Sequence, residues 1–413
     1  MLRPLSQMER MLWKMAEHFQ IFGTMTVRIA GTFSVDELRA ALARVRLRQP
    51  WLGVRISSSD AFGACFQTTN VPDFVVRVVD PAAEDTWLTA AAQEHQLPFS
   101  FATGPLVRFA LLRSAKFSDL VIIANHLLVD GTTLIYLIEE ILQQLGDPEA
   151  AGPPSTAMPP LEDLLPPLSG RSLLRHHRQS LTPVRPLAAS AQTGQLGVLS
   201  WLLTEAETAS LCRRSGAEQT TVYAAICAAF LRAVADLEKS SPVRRIETPI
   251  NLRGQLSQPM DRAWGNYFTL VETAIDCAKE RNFWGLARAF KHQLSQQMEK
   301  EALFWRWRVT KYLMKVVPNA TLGWLLRHTL LPFKIDYDLC ITNLGRINIP
   351  VCYGPLRIEA IFAPTMSLGA ANHRVLSVVT WGDRLAFSLT TFDLPLGNEL
   401  KERAMHHLTQ ALH

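Results

Sequence analysis

Two hydrophobic periods alternate along the chain. Met25, Val27 and Ile29 interleave with Thr24, Thr26 and Arg28, a period of two that predicts a strand with one buried face. Leu38, Leu42 and Val45 then recur at helical spacing. Ser34 and Glu37 fit a capping box at the start of that helix, and Pro50 ends it. Ser6 and Glu9 announce an earlier helix in the same way. The apolar runs Pro105 to Arg113 and Asp119 to Asn125 predict two buried strands. Gly131 leads into a helix over Thr132 to Leu145, stopped by Gly146 and Pro148.

Between Pro148 and Pro167 prolines recur with little periodicity, which marks a linker. Weak signals continue to Ser200. A second structured half opens with a strand over Gly197 to Leu203, then a helix capped by Thr204 and Glu207 and closed by Gly216. The Ala-rich segment Thr220 to Glu238 is apolar on most faces and predicts a buried helix. Strands follow at Ile246 to Ile250 and Tyr267 to Ile275, and a helical stretch from Asn282 to His328. Four more strands are expected at Asp338 to Thr342, Leu356 to Phe362, Val375 to Trp381 and Leu385 to Thr391, with a last helix over Asn398 to Leu412. The pattern divides the chain into residues 1–150, a Pro-rich crossover at 151–195, and residues 196–413. Strands are often adjacent in sequence, so α+β (mixed α/β) layers are expected, not a doubly wound parallel sheet.

Composition narrows the functional classes. A chain of 413 residues suits two domains of ordinary size, and 48% hydrophobic against 19% charged residues places it among globular proteins. The mean hydropathy of +0.07 points to large cores or an apolar substrate channel. The net charge of +5 comes without a Lys/Arg run, which disfavours nucleic acid as partner and fits an acidic protein partner. The six cysteines form no C-x-x-C pair, and the segment Met1 to Ser6 has no apolar signal region. Reduced thiols and a cytoplasmic location are therefore expected. No apolar run reaches membrane-spanning length; Leu322 to Phe333 is broken by Arg327, His328 and Pro332.

The chemistry is concentrated in Ala124-Asn125-His126-Leu127-Leu128-Val129-Asp130-Gly131. His126 follows a very apolar strand, where a rigid scaffold can present a side chain into a cleft. Gly131 permits a tight turn. Taken singly, the histidine is compatible with a structural role and Asp130-Gly131 with an ordinary turn.

Asn125-His126-Leu127-Leu128-Val129-Asp130-Gly131 resembles the His-His-x-x-x-Asp-Gly motif of the condensation-domain, chloramphenicol-acetyltransferase-like superfamily. Leu5-Ser6-x-x-Glu9-Arg10-x-Leu12-Trp13 resembles the opening motif of condensation domains. Pro98-Phe99 and Gly104-Pro105-Leu106-Val107-Arg108 resemble the segment before the histidine motif. Pro249-Ile250-Asn251-Leu252-Arg253 with Gly265-Asn266 resembles the arginine motif of the second half. The resemblance spans nearly the whole chain. Its length and stand-alone form are most like the polyketide-associated acyltransferases of the phthiocerol dimycocerosyl transferase type.

The resemblance implies two similar subdomains in a V-shaped pseudo-dimer, with a tunnel between them and the histidine at its middle. It implies His126 as general base, neutral near working pH and able to take a proton from an attacking nucleophile. Asp130 and Arg253 are then a structural pair across the subdomains. Thr342, Asn343 and Asn266 are candidates for the tunnel wall or for stabilising an oxyanion. Asn125 departs from the motif and cannot act as an acid or base. No bound cofactor is implied. The donor is a phosphopantetheine thioester on an acyl carrier protein or coenzyme A, and the acceptor an alcohol or amine. Ester formation in polyketide, lipid or other secondary metabolism leads. Amide formation and a non-catalytic recruiting module remain as alternatives, and a monomer is expected.

Other features stay open at this level. Phe304-Trp305-Arg306-Trp307-Arg308 with Trp324, Leu325 and Leu326 fits a core-packed helix, an apolar substrate wall or a peripheral membrane contact. His176-His177 and His406-His407 have no carboxylate or cysteine at metal-ligand spacing beside them, so no metal site is assigned. Arg171, Arg175 and Arg178 form a small basic cluster that fits a solvated face or a carrier protein.

Overall fold

The computed structural model describes residues 3–412, apart from 20, 32, 59, 62, 81–85, 150–158, 168–194, 239–240, 259, 281, 300–302, 305–306, 309–310, 313, 326–336 and 368–372. The first half runs β1 (Arg3–Pro4), α1 (Gln7–Ala16), β2 (Phe22–Ala30), α2 (Val35–Arg48), β3 (Arg55–Ser58), β4 (Ala64–Gln67), β5 (Val76–Val79), α3 (Thr86–Glu94), β6 (Val107–Arg113), β7 (Phe117–Asn125) and α4 (Gly131–Gly146). The second half runs β8 (Gly197–Leu202), α5 (Glu205–Ala217), α6 (Val222–Leu237), β9 (Val243–Asn251), β10 (Phe268–Asp276), α7 (Phe283–Gln297), α8 (Asn319–Leu325) and β11 (Leu339–Arg346). It continues through β12 (Cys352–Tyr353), β13 (Leu356–Ile361), β14 (Thr365–Ser367), β15 (Arg374–Trp381), β16 (Arg384–Thr391) and α9 (Leu394–Leu412).

The capping boxes of Ser6/Glu9, Ser34/Glu37 and Thr204/Glu207 are all formed, each satisfying amide donors at a helix start. The Ala-rich segment is α6, buried from Ala224 to Leu231. No single described helix is long and apolar enough to cross a membrane.

Each half has a sheet and a core. The first sheet has the order β12-β13-β2-β7-β6-β5, with β14 also on β2. Met25, Val27 and Ile29 of β2 face α2 and α4, while Phe22 with Val121 and Ile123 of β7 faces α3. The second sheet has the order β10-β9-β11-β15-β16-β8. Ile341, Leu376, Val378, Phe387 and Leu389 pack on the helices of that half. The opposite face of the same strands looks toward the first half, where Val379 and Ala386 join its core. Strands β1, β4 and β3 form a third, small sheet, and the mixed α/β architecture is as expected.

The boundary at 196–413 does not describe the sheets. Residues 352–367 leave the second half and extend the first sheet: Arg357 pairs with Ala30, Ile361 with Val27, and Thr365 with Thr24. The outer edge of β2 would otherwise carry unpaired amides and carbonyls along a buried strand. The expected helical stretch Asn282 to His328 is also interrupted. It contains α7 and α8, and Pro318 directly precedes α8. Between them Arg10, 1% exposed, gives Nε to Asn319 Oδ1 (2.9 Å) and Nη2 to the Val317 carbonyl (2.6 Å), tying α1 to this segment. The sequence pattern did not mark α3 or the short strands β1, β3, β4, β5 and β14. Of the aromatic segment, Phe304 is buried against Tyr267, and Trp307 Nε1 donates to Thr269 Oγ1 (3.0 Å), whereas Trp324 is 56% exposed. Trp305, Arg306, Leu326, His176, His177 and Arg171, Arg175 and Arg178 lie outside the described residues.

The crossing segment is pressed onto α4 through two glycines. A Cβ on Gly146 would collide with the Tyr353 carbonyl, and one on Gly354 (φ +55°) with the Gly146 carbonyl. Helix propensity alone favours alanine over glycine by about 1 kcal/mol. The contact reverses that sign. Gly146→Ala is expected to destabilise the fold by about 1–3 kcal/mol, the range for overpacking, as read from the urea midpoint.

Candidate active site

The end of β7 is locked before it reaches the histidine. The His126 amide donates to the Ile21 carbonyl (3.1 Å), and Asn125 Oδ1 accepts from the Leu127 amide (3.0 Å). Leu127, Leu128 and Val129 are buried beneath the turn, and Trp51 Nε1 holds the Leu128 carbonyl (3.0 Å). Asp130 then caps α4, its Oδ1 accepting from the Thr133 amide (2.9 Å). The His126 side chain is therefore carried on a strand end, a bonded turn and a helix start, none of which is free to move alone.

The imidazole is half-buried and opens on a cavity of about 160 Å³ between the halves. Its walls include Gly23 of β2, Phe268 and Leu270 of β10, Thr342 of β11 and Ser377 of β15. The Phe268 ring lies 5.7 Å from the His126 ring at 58°. A Cβ at Gly23 would stand 4.0 Å from His126 Nε2, so the glycine leaves the space before that nitrogen open.

Asp130 and Arg253 join the halves. Arg253 Nη1 meets Asp130 Oδ2 at 2.6 Å and Nη2 meets Oδ1 at 3.1 Å, with both side chains buried. Arg253 also donates to the carbonyls of Ala263 (3.0 Å) and Gly265 (3.2 Å). The Tyr267 amide donates to Asp130 Oδ2 (3.0 Å), and Thr133 Oγ1 donates to the Gly265 carbonyl (2.8 Å). The loop before β10 is thereby fastened to the start of α4. Gly131 admits Leu344 of the other half, whose Cδ2 would lie 2.6 Å from an added Cβ.

The other candidates separate by geometry. Asn266 gives Nδ2 to the His126 carbonyl (2.5 Å), so it positions the histidine backbone instead of presenting that amide to the cavity. Thr342 and Asn343 both reach the cavity wall. Asn343 is exposed and accepts from the Gly345 amide through Oδ1 (2.8 Å), which closes the turn after β11. Gly23, Phe268 and Ser377 were not picked out from the sequence. Strand alternation marks such residues, but not the sheet face that lines a cavity.

Burial pushes the His126 imidazole below the ordinary histidine range; the Asp130 charge and the Val129 backbone act in the opposite sense. The ring is neutral at pH 7 and able to accept a proton. Two further neutral histidines hold β14 where it crosses between the halves. His95 Nε2 bonds Thr365 Oγ1 (2.7 Å), which also bonds Thr24 Oγ1 (2.6 Å), and His373 Nε2 bonds the Met366 carbonyl (2.8 Å). Burial lowers His95 to about 3 and His373 to about 4.

Both folded values lie below the ordinary histidine value of 6.5, so at pH values between the folded and ordinary values the unfolded chain binds more protons. Their contribution is complete above about pH 6.5 and is lost as pH falls toward 4, by up to about 1.4 kcal/mol per pH unit for each group. Urea unfolding at pH 7, 6 and 5 should show this fall, and His95→Gln/His373→Gln should flatten it. A second expectation concerns the ion pair. Asp130→Ala strands a buried guanidinium, and about 3–5 kcal/mol of stability should be lost together with activity. Unfolding midpoint and turnover of the same preparation check this.

The comparisons agree with this architecture. Residues 192–305 match the family model described as phthiocerol/phthiodiolone dimycocerosyl transferase C-terminus. A nonribosomal peptide synthetase, kk1B of Curvularia clavata, is 26% identical over 258 residues; these are 54% of this chain but 2% of that much longer protein. Polyketide synthase associated protein 5 from Mycobacterium tuberculosis superposes with a TM-score of 0.67 at 16% identity, over 99% of this chain and 98% of that one. TRI3 trichothecene 15-O-acetyltransferase from Fusarium sporotrichioides gives a TM-score of 0.73 at 13% identity, over 100% of this chain and 95% of that one. Over nearly its whole length the chain therefore shares the fold of these two proteins, and over residues 192–305 it is similar to the dimycocerosyl transferase C-terminal family.

Proposed function

We propose that the protein is an acyltransferase that moves an acyl group from a phosphopantetheine thioester to a hydroxyl acceptor, in polyketide, lipid or other secondary-metabolite biosynthesis. The observation that carries this reading is a neutral, half-buried imidazole opening on a cavity between two halves. An alcohol attacks a thioester poorly until its proton leaves during the attack. His126 takes that proton as the new C–O bond forms, and returns it to the thiolate as the C–S bond breaks. His126 touches the reacting atoms; Asp130, Arg253 and Asn266 position it.

A second cavity, of about 360 Å³, lies on the other side of the strand end and is lined by Phe22, Phe99, Phe101 and Asn125. This second space reaches Asn125, the residue before His126, and suits a donor and an acceptor that arrive from different directions. The donor is an acyl carrier protein or coenzyme A, and the enzyme works as a cytoplasmic monomer without a bound cofactor. The stretch shared with a peptide synthetase favours one further reading, an amine acceptor and an amide product through the same base. A non-catalytic recruiting module would leave the open space before His126 Nε2 without a purpose.

Wild type and His126→Ala, incubated with acyl-coenzyme A or acyl carrier protein and a panel of alcohols and amines, test the reading by mass spectrometry. Product from the wild type should fall about 10²–10⁴-fold in the variant. Equal product from both would remove His126 from the chemistry, and the product's bond decides between ester and amide.

A further inference from the structure

We infer that the Ser377 hydroxyl donates a hydrogen bond to the carbonyl oxygen of the acyl substrate in the His126 cavity; the inference rests on the acyl-transfer reading above. Along β15 the side chains alternate. Leu376 and Val378 enter the helix-side core, and Ser377 between them lines the cavity. Ser377 is fully buried, and its Oγ has no hydrogen-bond partner among the described residues.

Its neighbours make this unusual. On the adjacent β16, buried Ser388 gives its hydroxyl to the Ala363 carbonyl (2.8 Å), and buried Thr390 accepts from the Met366 amide (3.3 Å). Those hydroxyls are matched within the protein. Leaving a buried hydroxyl unmatched costs about 1–3 kcal/mol, so a ligand that supplies an acceptor there gains affinity. An alkyl chain supplies none. A thioester or ester carbonyl does, and the reacting carbonyl must enter the cavity that holds His126. Thr342 stands beside Ser377 in parallel register and faces the same cavity. Pro249, Phe268 and Leu270 supply apolar wall in the same cavity, with Glu247 and Asn251 among its polar lining. The surface thus offers a buried hydroxyl with no partner among the described residues beside apolar wall, an arrangement that can orient an acyl group by its carbonyl while the chain lies on carbon.

The test uses the full chain and two probes, butyryl-N-acetylcysteamine thioester and the corresponding butyl thioether, which lacks the carbonyl. Binding is followed by isothermal titration. The wild type should prefer the thioester by about fivefold, the worth of one net hydrogen bond. Ser377→Ala should bring the two probes within about twofold, and Ser377→Thr, which keeps a hydroxyl, should retain the preference. Equal binding of the two probes by wild type, no binding of either, or an unchanged preference in Ser377→Ala each overturns the inference. His126→Ala is titrated and assayed in parallel. If it keeps full thioester turnover, the base assignment fails whatever Ser377 does. If it loses turnover while Ser377→Ala shows no lost preference, only the Ser377 inference falls.

Discussion

Two halves with separate cores need a fixed joint if the His126 cavity between them is to keep its shape. The Asp130 carboxylate supplies it. One group caps α4 through the Thr133 amide, receives both Arg253 nitrogens and accepts from the Tyr267 amide. A buried ion pair of this kind adds little stability over a well-packed apolar pair of the same volume. An apolar pair, however, has no directionality. It would not hold the 263–267 loop where Asn266 reaches the His126 carbonyl, or set Phe268 against the imidazole. The joint therefore contributes geometry to the site more than energy to the fold.

The same joint leaves no Asp130 oxygen free to bond the His126 ring. Both Asp130 oxygens are occupied by the guanidinium and by backbone amides. Asp130 can bias the imidazole only through its field, and that field is outweighed by burial. A lowered pKa favours the neutral ring near neutral pH. Asn125 fits this economy. Its amide oxygen closes the turn onto Leu127, so the position keeps its scaffold role without a second titrating ring beside His126.

What the sequence disclosed was local. The capping boxes are contained within four residues, and each formed where the pattern put it. His126, Asp130 and Arg253 stood out because their motif resembles a family's, and the structure brings Asp130 and Arg253 into contact across the halves. The unread parts depend on distant partners. Thr24 and Thr365 share a hydrogen bond across 341 residues, and nothing near Thr365 announces that its strand belongs to the first sheet. Asn266 fits a tunnel wall as well as a backbone clamp until the His126 carbonyl is placed beside it. Ser377 sits in an apolar run, Val375 to Val379, where a serine suggests only a tolerated small residue.

The crossing of β14 shows what kind of environment the halves enclose. His95 and His373 are held neutral there by the same desolvation that keeps His126 neutral. Each acts as a fixed hydrogen-bonding ring, one on the Thr365 hydroxyl and one on the Met366 carbonyl, and Thr365 and Met366 both border the His126 cavity. Charging either ring would place an unpaired cation in an apolar setting, which proteins avoid by shifting the pKa. A phosphate brought to the same depth would meet the same desolvation cost, without a ring that can neutralise itself. The Thr365 and Met366 side of the cavity therefore favours neutral groups over charged ones.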